Sequence, residues 1–344
     1  MKKLLLGLIG IVILMGLILP AGPVLAAEPG KVKFGHVAPP FHGLSKGAEA
    51  FSAHVKEKTQ GRIDIAVFPA GQLGSEVAMG ELVQVGAIEI ASITTAVLQN
   101  FVPQCSVIDM PFIFPNRKTA YAALDDPELK QKIFSYFPAK GLIPIGWGEN
   151  EIKDFTNTKG PVRTPNDIKG LKVRVMNSPV YLDTFKQLGA SPVAIPFSET
   201  YNALQTGVVD AQDNPILTSV LMKFTEVTKY ATLTNHSLNE CITVVGTDYW
   251  NSLSKADQQI FLEAAEILKN VNREVNAKLH EALPQSKISV HDYAKANGVE
   301  IIELTTDERE QFRKAMIPVW DKYRKEIGDD IFDLMLKKID QHRI

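Results

Sequence analysis

Ile168-Lys-Gly-Leu-Lys-Val-Arg-Val-Met-Asn-Ser-Pro179, Gly189-Ala-Ser-Pro-Val-Ala-Ile-Pro-Phe-Ser-Glu-Thr-Tyr201 and Gln205-Thr-Gly-Val-Val-Asp-Ala-Gln-Asp-Asn-Pro215 are three runs joined by helical patterns. Leu171, Val173 and Val175 alternate with Lys172, Arg174 and Met176, the period of a strand with one apolar face. Ser178 and Pro179 then open a helix as N-cap and first-turn residues, and Gly189 closes it. A strand over 192–196, a helix from Ser198 to Gly207 and a strand over 208–212 complete a strand-helix-strand-helix-strand unit. In open α/β sheets, ligands sit beyond the carboxyl ends of the strands. Arg174 stands near such an end, where its planar fork can meet a carboxylate through two parallel charge-assisted hydrogen bonds.

The amino-terminal part repeats the same order. Lys31–Val37 reads as a strand, Gly43–Thr59 as a helix, Arg62–Phe68 as a strand, Ser75–Val85 as a helix and Ile88–Ile93 as a strand. The two units end in similar text, Leu82-Val-Gln-Val-Gly-Ala-Ile-Glu and Leu204-Gln-Thr-Gly-Val-Val-Asp. Two α/β lobes are therefore expected rather than one large sheet, facing each other across a cleft that can hinge shut. Between the units, Cys105–Ile113 and Leu142–Gly146 read as strands and Asn116–Lys140 as mostly helix. Residues 216–229 read as helix and Cys241–Val245 as strand. A helical pattern from Ser254 to about Ala296, kinked at Pro284, would span roughly 60 Å. Residues 305–340 add amphipathic helix.

The motifs Lys-Gly-Leu-Lys-x-Arg, Leu-Gly-Ala-x-Pro, Phe-Ser-Glu-x-Tyr and Leu-Gln-Thr-Gly-x-Val-Asp-x-Gln-x-Asn-Pro together carry a resemblance. From Lys31 to about Arg324 the chain resembles the extracytoplasmic solute-binding proteins of tripartite ATP-independent periplasmic (TRAP) transporters. The resemblance implies a two-lobe periplasmic binding fold with a hinged cleft and a long helix lying across both lobes. The expected lobes are 28–150 with 239–279, and 151–238 with 280–344, after a signal peptide over 1–26. It also implies a small carboxylate as ligand, the transporter's membrane subunits as partners, no cofactor and no catalysis.

At 344 residues the chain is long enough for two lobes. A formal net charge of -2 gives no field that favours nucleic acid, and a monomer is expected. Lys2 and Lys3, an apolar run from Leu4 to Leu19 and small residues up to Ala26 and Ala27 follow the order of a secretory signal; an uncleaved anchor is the alternative. Cys105 and Cys241 are the two cysteines, and an exported chain permits either a disulfide or two buried thiols.

Arg174 is the leading binding candidate, and it falls on the family's carboxylate-binding arginine; the ordinary alternative is an internal ion pair. Asn214 matches a ligand-binding asparagine in the resemblance, against a strand-end cap. Asn177 and Phe197 match ligand-lining positions, although core packing is the commoner fate of a phenylalanine. Lys153 stands where the family often has an arginine, as a second anion contact or a solvated lysine. Trp147 is a pocket wall or a core residue, and Glu76 a ligand contact or, more simply, a helix-start acid favoured by the dipole. His36 and His42 lack the neighbours of a metal site and read as turn or cleft polar groups. Gly43-Leu-Ser-Lys-Gly47 matches Gly-x-Ser-x-Gly in letters but lies within the helix read over Gly43–Thr59 and not at a strand-to-helix elbow, and the sequence has no His-Glu-x-x-His, Cys-x-x-Cys or phosphate-loop motif. A periplasmic enzyme using Arg174 as substrate clamp would need a placed acid, base, nucleophile or metal beside it.

Overall fold

The computed structural model describes residues 31–343; the expected signal peptide lies outside them. Among the described residues there are nine strands: β1 (Val32–Gly35), β2 (Ile65–Phe68), β3 (Ile90–Thr94), β4 (Leu142–Asn157), β5 (Lys172–Val175), β6 (Ser191–Ala194), β7 (Ala211–Gln212), β8 (Tyr230–Gly246) and β9 (Glu300–Glu303). Strands β1, β2 and β3 with helices Gly43–Lys58 and Glu76–Gln84 form the first unit, paired in parallel as crossover connections require. Strands β5, β6 and β7 with helix Pro179–Gln187 and the short helix Thr200–Gln205 form the second, again parallel. Both units were legible from apolar alternation and helix punctuation. Ser178 caps its helix through Tyr181 N–H, and Ser75 caps the other through Ala78 N–H.

The expectation of separate sheets is corrected. All nine strands share one hydrogen-bonded sheet in the order β2-β1-β3-β8-β4-β7-β5-β6, with β9 beside β8. The cause is the length of β4 and β8, at 16 and 17 residues. At about 3.3 Å per residue each extends roughly 50 Å, enough to serve both units. The antiparallel pair carries β3 at Cys241–Val245 and β7 at Thr156–Asn157. Its register slips between Glu149 and Ile152 and between Lys153 and Phe155, and Glu151 has φ 69. Such bulges bend the ladder and re-aim side chains where the units meet.

The long helix is shorter than expected. It runs Lys255–Glu281, 27 residues or about 40 Å, and a second helix begins at Val290. Pro284 ends the first helix, with Ala282 already extended, because proline disfavours helical backbone before it. Ser254 caps the helix start by accepting from Asp257 N–H. Helix Gly43–Lys58 lies against it so closely that a Cβ on Gly43 would sit 2.3 Å from Asn272 O. Cys105–Ile113 is also not a strand: it forms a 3-10 turn over Pro103–Val107 and further turns, buried throughout. An apolar run without alternation does not distinguish these outcomes. The closing helices Ile317–Ile327 and Asp329–Gln341 pack on that turn, with the former also on helix Pro179–Gln187 and the latter on Arg117–Leu124. Among the described residues no helix is long and apolar enough to cross a membrane.

Candidate functional site

A cavity of about 770 Å³ opens between the two units. Ser75, Glu76 and Val97 line it from the first, and Arg174, Asn177 and Phe197 from the second. A narrow inner recess shares Glu76, Met176 and Phe197 with it and adds His42, Asn214 and Thr218.

Register explains Arg174. It is the last residue but one of β5, paired with Val193 on one side and Gln212 on the other, so its guanidinium leaves the sheet near the carboxyl end of the strand. The residue is 1% exposed. Nε donates to Ile195 O at 3.0 Å, and Nη1 has no hydrogen-bond partner. Among the described residues no carboxylate forms an ion pair with it, although Asp213 and Glu76 act on it at longer range. Burial pulls its pKa down from the ordinary arginine value, against those two acids. A desolvated cation with an unsatisfied donor, on the wall of a cavity, is a site waiting for an anion.

Glu76 is the expected helix-start acid and also lines the cavity. It opens helix Glu76–Gln84, and its carboxylate accepts from Thr94 N at 2.7 Å and Thr94 Oγ1 at 3.2 Å while facing the cavity. Burial raises its pKa, while Thr94, Arg174 and Lys153 lower it. Asn214 donates from Nδ2 to Gln212 Oε1, which fixes the amide's orientation at the recess. Gln212 is held in turn by donating to Thr156 Oγ1 and Ser219 Oγ. Phe197 is half-buried and meets Phe224 edge to face at 5.9 Å. Asn177 is exposed at the mouth, where its carbonyl accepts from Asn100 Nδ2 at 2.8 Å and ties the units together.

Two expectations change. Trp147 is not a pocket wall. Its indole is buried in the core, donating from Nε1 to Leu124 O and packing 4.8 Å from Phe134, because β4 turns this side chain away from the cleft. Lys153 lines neither the cavity nor the recess. Its ammonium lies behind the wall, 2.6 Å from Asp213 O, 3.2 Å from Asp213 Oδ2 and 4.6 Å over the Tyr181 ring. The Tyr181 hydroxyl donates to Asp109 at 2.9 Å. Lys153 thus neutralises an internal acid; the 3.2 Å approach is an ion pair without hydrogen-bond geometry. Cys105 and Cys241 are both free and buried, so the disulfide alternative falls away.

Sequence reasoning missed Thr218, which belongs to a helix read only as helix and carries no local signal. A second cavity, about 520 Å³, lies elsewhere and contains none of the expected site residues; Arg117, His236 and Arg309 line it. Among the described residues no cluster of His, Cys, Asp or Glu is arranged for a metal ion.

Paired α/β units around a cavity with a buried, uncompensated cation define a binding protein of the hinged two-lobe class. Residues 34–326 match the family described as Bacterial extracellular solute-binding protein, family 7, and the chain belongs to that family. It is 31% identical to the 2,3-diketo-L-gulonate-binding periplasmic protein YiaO of Escherichia coli, over 92% of this chain and 90% of that protein. A TRAP periplasmic solute-binding protein of Ralstonia eutropha, solved with (S)-2-acetolactate, superposes with a TM-score of 0.84 at 30% identity, covering 91% and 100% of the two chains. Another from Polaromonas, bound to D-erythronate, gives 0.82 at 33% identity, covering 89% and 97%. The two-lobe fold expected from the sequence is the fold of these neighbours.

Proposed function

We propose that this protein captures a small organic acid between its units, outside the cytoplasmic membrane, and delivers it to the membrane subunits of a TRAP-type transporter. The observation that carries the reading is the Arg174 guanidinium: buried, without a carboxylate partner among the described residues, and facing a cavity walled by both units. The ligand carboxylate docks on Arg174, Asn214 orients it, and Phe197 and Asn177 enclose it. Glu76 accepts a hydroxyl or water from the opposite wall. Lys153 contributes by neutralising Asp213 behind the site. Closure of the units expels water and strengthens the charge pair in the low-dielectric interior. The bulged crossing of β4 and β8 is the natural hinge, since its ladder is already interrupted there. The acids held by the similar proteins, acetolactate and D-erythronate, favour short hydroxylated or oxo acids as the ligand class.

A thermal-shift panel of carboxylic acids against their methyl esters tests this. A ligand that binds only the folded form raises its melting point. Acids are expected to raise it and esters to leave it unchanged, with the recovered acid identical by mass spectrometry to what was added. Equal shifts with esters, or a chemically altered acid, would overturn the reading.

A further inference from the structure

The inner recess contains two buried polar atoms that the reading above does not use. His42 caps helix Gly43–Lys58: Leu44 N–H donates to His42 Nδ1 at 3.1 Å. A backbone N–H only donates, so Nδ1 presents its lone pair and the proton of the neutral ring sits on Nε2. Burial lowers the ring's pKa, with nearby His280 adding to this and Glu151 opposing it, so the neutral tautomer is the relevant one. Nε2 is buried and has no hydrogen-bond partner, and His42 is a wall of the recess. Thr218 Oγ1, from helix Ile216–Leu221, which follows β7 of the other unit, is likewise buried and unpartnered and also lines the recess. The recess measures about 10 Å³, close to what a single water occupies. One donor and one donor-acceptor, brought from two units around a space of that size, suit one oxygen atom.

We infer that His42 and Thr218 read a single oxygen substituent of the ligand, distinct from the carboxylate held by Arg174, which makes the protein select hydroxy and oxo acids over their deoxy counterparts. The inference rests on the carboxylate lying at Arg174. A deoxy acid brings no oxygen to the recess, which leaves His42 Nε2–H and Thr218 Oγ1 unpaired. Sites built to hydrogen-bond a hydroxyl discriminate strongly against analogues that lack it.

The test is calorimetric titration of the full chain with 4-hydroxybutyrate and 6-hydroxyhexanoate against butyrate and hexanoate. The wild type should prefer a hydroxy acid over the plain acid of its length by at least about 10-fold. His42→Asn, which keeps an N-cap but loses the reach, and Thr218→Val, which keeps the shape, should each remove most of that preference. They should do so by weakening the hydroxy acid while leaving the plain acid within about twofold. Variants that keep the wild-type preference, or that weaken both acids equally, overturn the inference. So does a wild type that binds the plain acids as tightly. Arg174→Lys separates the two readings. If it loses both acids while His42→Asn and Thr218→Val still discriminate normally, only the oxygen-reading role fails. If it binds both normally, or if the wild type binds no acid, the carboxylate reading fails and this inference with it.

Discussion

Replacing Arg174 with methionine should move binding and stability in opposite directions. The guanidinium is 1% exposed, its Nη1 is unpartnered, and its one hydrogen bond runs from Nε to Ile195 O. Removing one partner of a desolvated charge pair costs about 2–5 kcal/mol of affinity. At about 1.4 kcal/mol per tenfold, the methionine variant should bind acids about 30- to 5000-fold more weakly. The ligand-free protein experiences the change differently. It loses one hydrogen bond, worth about 1 kcal/mol. It also sheds a buried charge that no carboxylate among the described residues pairs with directly, although Asp213 and Glu76 attract it at longer range; the effective desolvation penalty of such a charge is several kcal/mol. Methionine fills a similar volume with a flexible apolar chain. The net expectation is a ligand-free variant as stable as the wild type or more stable by about 1–3 kcal/mol. Urea denaturation without ligand, followed by titration with an acid that binds the wild type, measures both quantities. A variant that loses more than about 2 kcal/mol of stability, or binds the acid within threefold of the wild type, refutes the reasoning and makes Arg174 a structural residue.

Other expectations follow from the same geometry. Trp147→Ala should destabilise by about 3–5 kcal/mol while leaving the Kd of the folded fraction unchanged, as urea denaturation and calorimetry would show. Weakened binding without lost stability would return Trp147 to the pocket. Cys105 and Cys241 are buried, and burial pushes both thiols well above their ordinary pKa. Both should resist a thiol reagent in the native protein and react after guanidinium unfolding without reductant. A chain that shows no reactive thiol when unfolded would contradict this. Burial raises Asp109, Asp154 and Glu149 to about 7 and Glu240 to about 8. The native state therefore retains protons that the unfolded chain has already released. Their contribution is complete below the ordinary carboxyl range and is lost as pH rises through 7 to 8. Melting temperature should fall between about pH 6.5 and 8, above the range in which His36, His42 and His236, whose pKa values burial lowers, oppose the trend, and Glu240→Gln should flatten the slope; an unchanged slope in that variant would exclude Glu240 as a contributor. Gly43→Ala would place its Cβ 2.3 Å from Asn272 O, so it should destabilise by about 1–3 kcal/mol; a neutral result in urea denaturation would show that the helix pair can move apart.

Local chemistry made much of this protein readable before its coordinates. Alternation at Leu171, Val173 and Val175, caps at Ser178 and Ser254, and the repeated strand-helix order depend on neighbours within a few residues. Hence the two units and the position of Arg174 near a strand end followed from sequence, while the solute-binding family was legible through the resemblance that the combined motifs carry. The reach of β4 and β8 did not, because a ladder's extent is set by its partners: β8 carries β3 at one end and β9 at the other. The same holds for side chains along β4. Trp147 went to the core and Lys153 to Asp213 because bulges re-aimed a strand whose alternation alone allowed either face. Cys105 and Cys241 remained thiols, and His42 and Thr218 came to line one recess, through the packing of segments more than 130 residues apart. Sequence determined which chemical groups were available and which local elements would carry them. Only tertiary packing decided which of those groups were neutralised internally and which were left, buried and unpaired, for a ligand to complete.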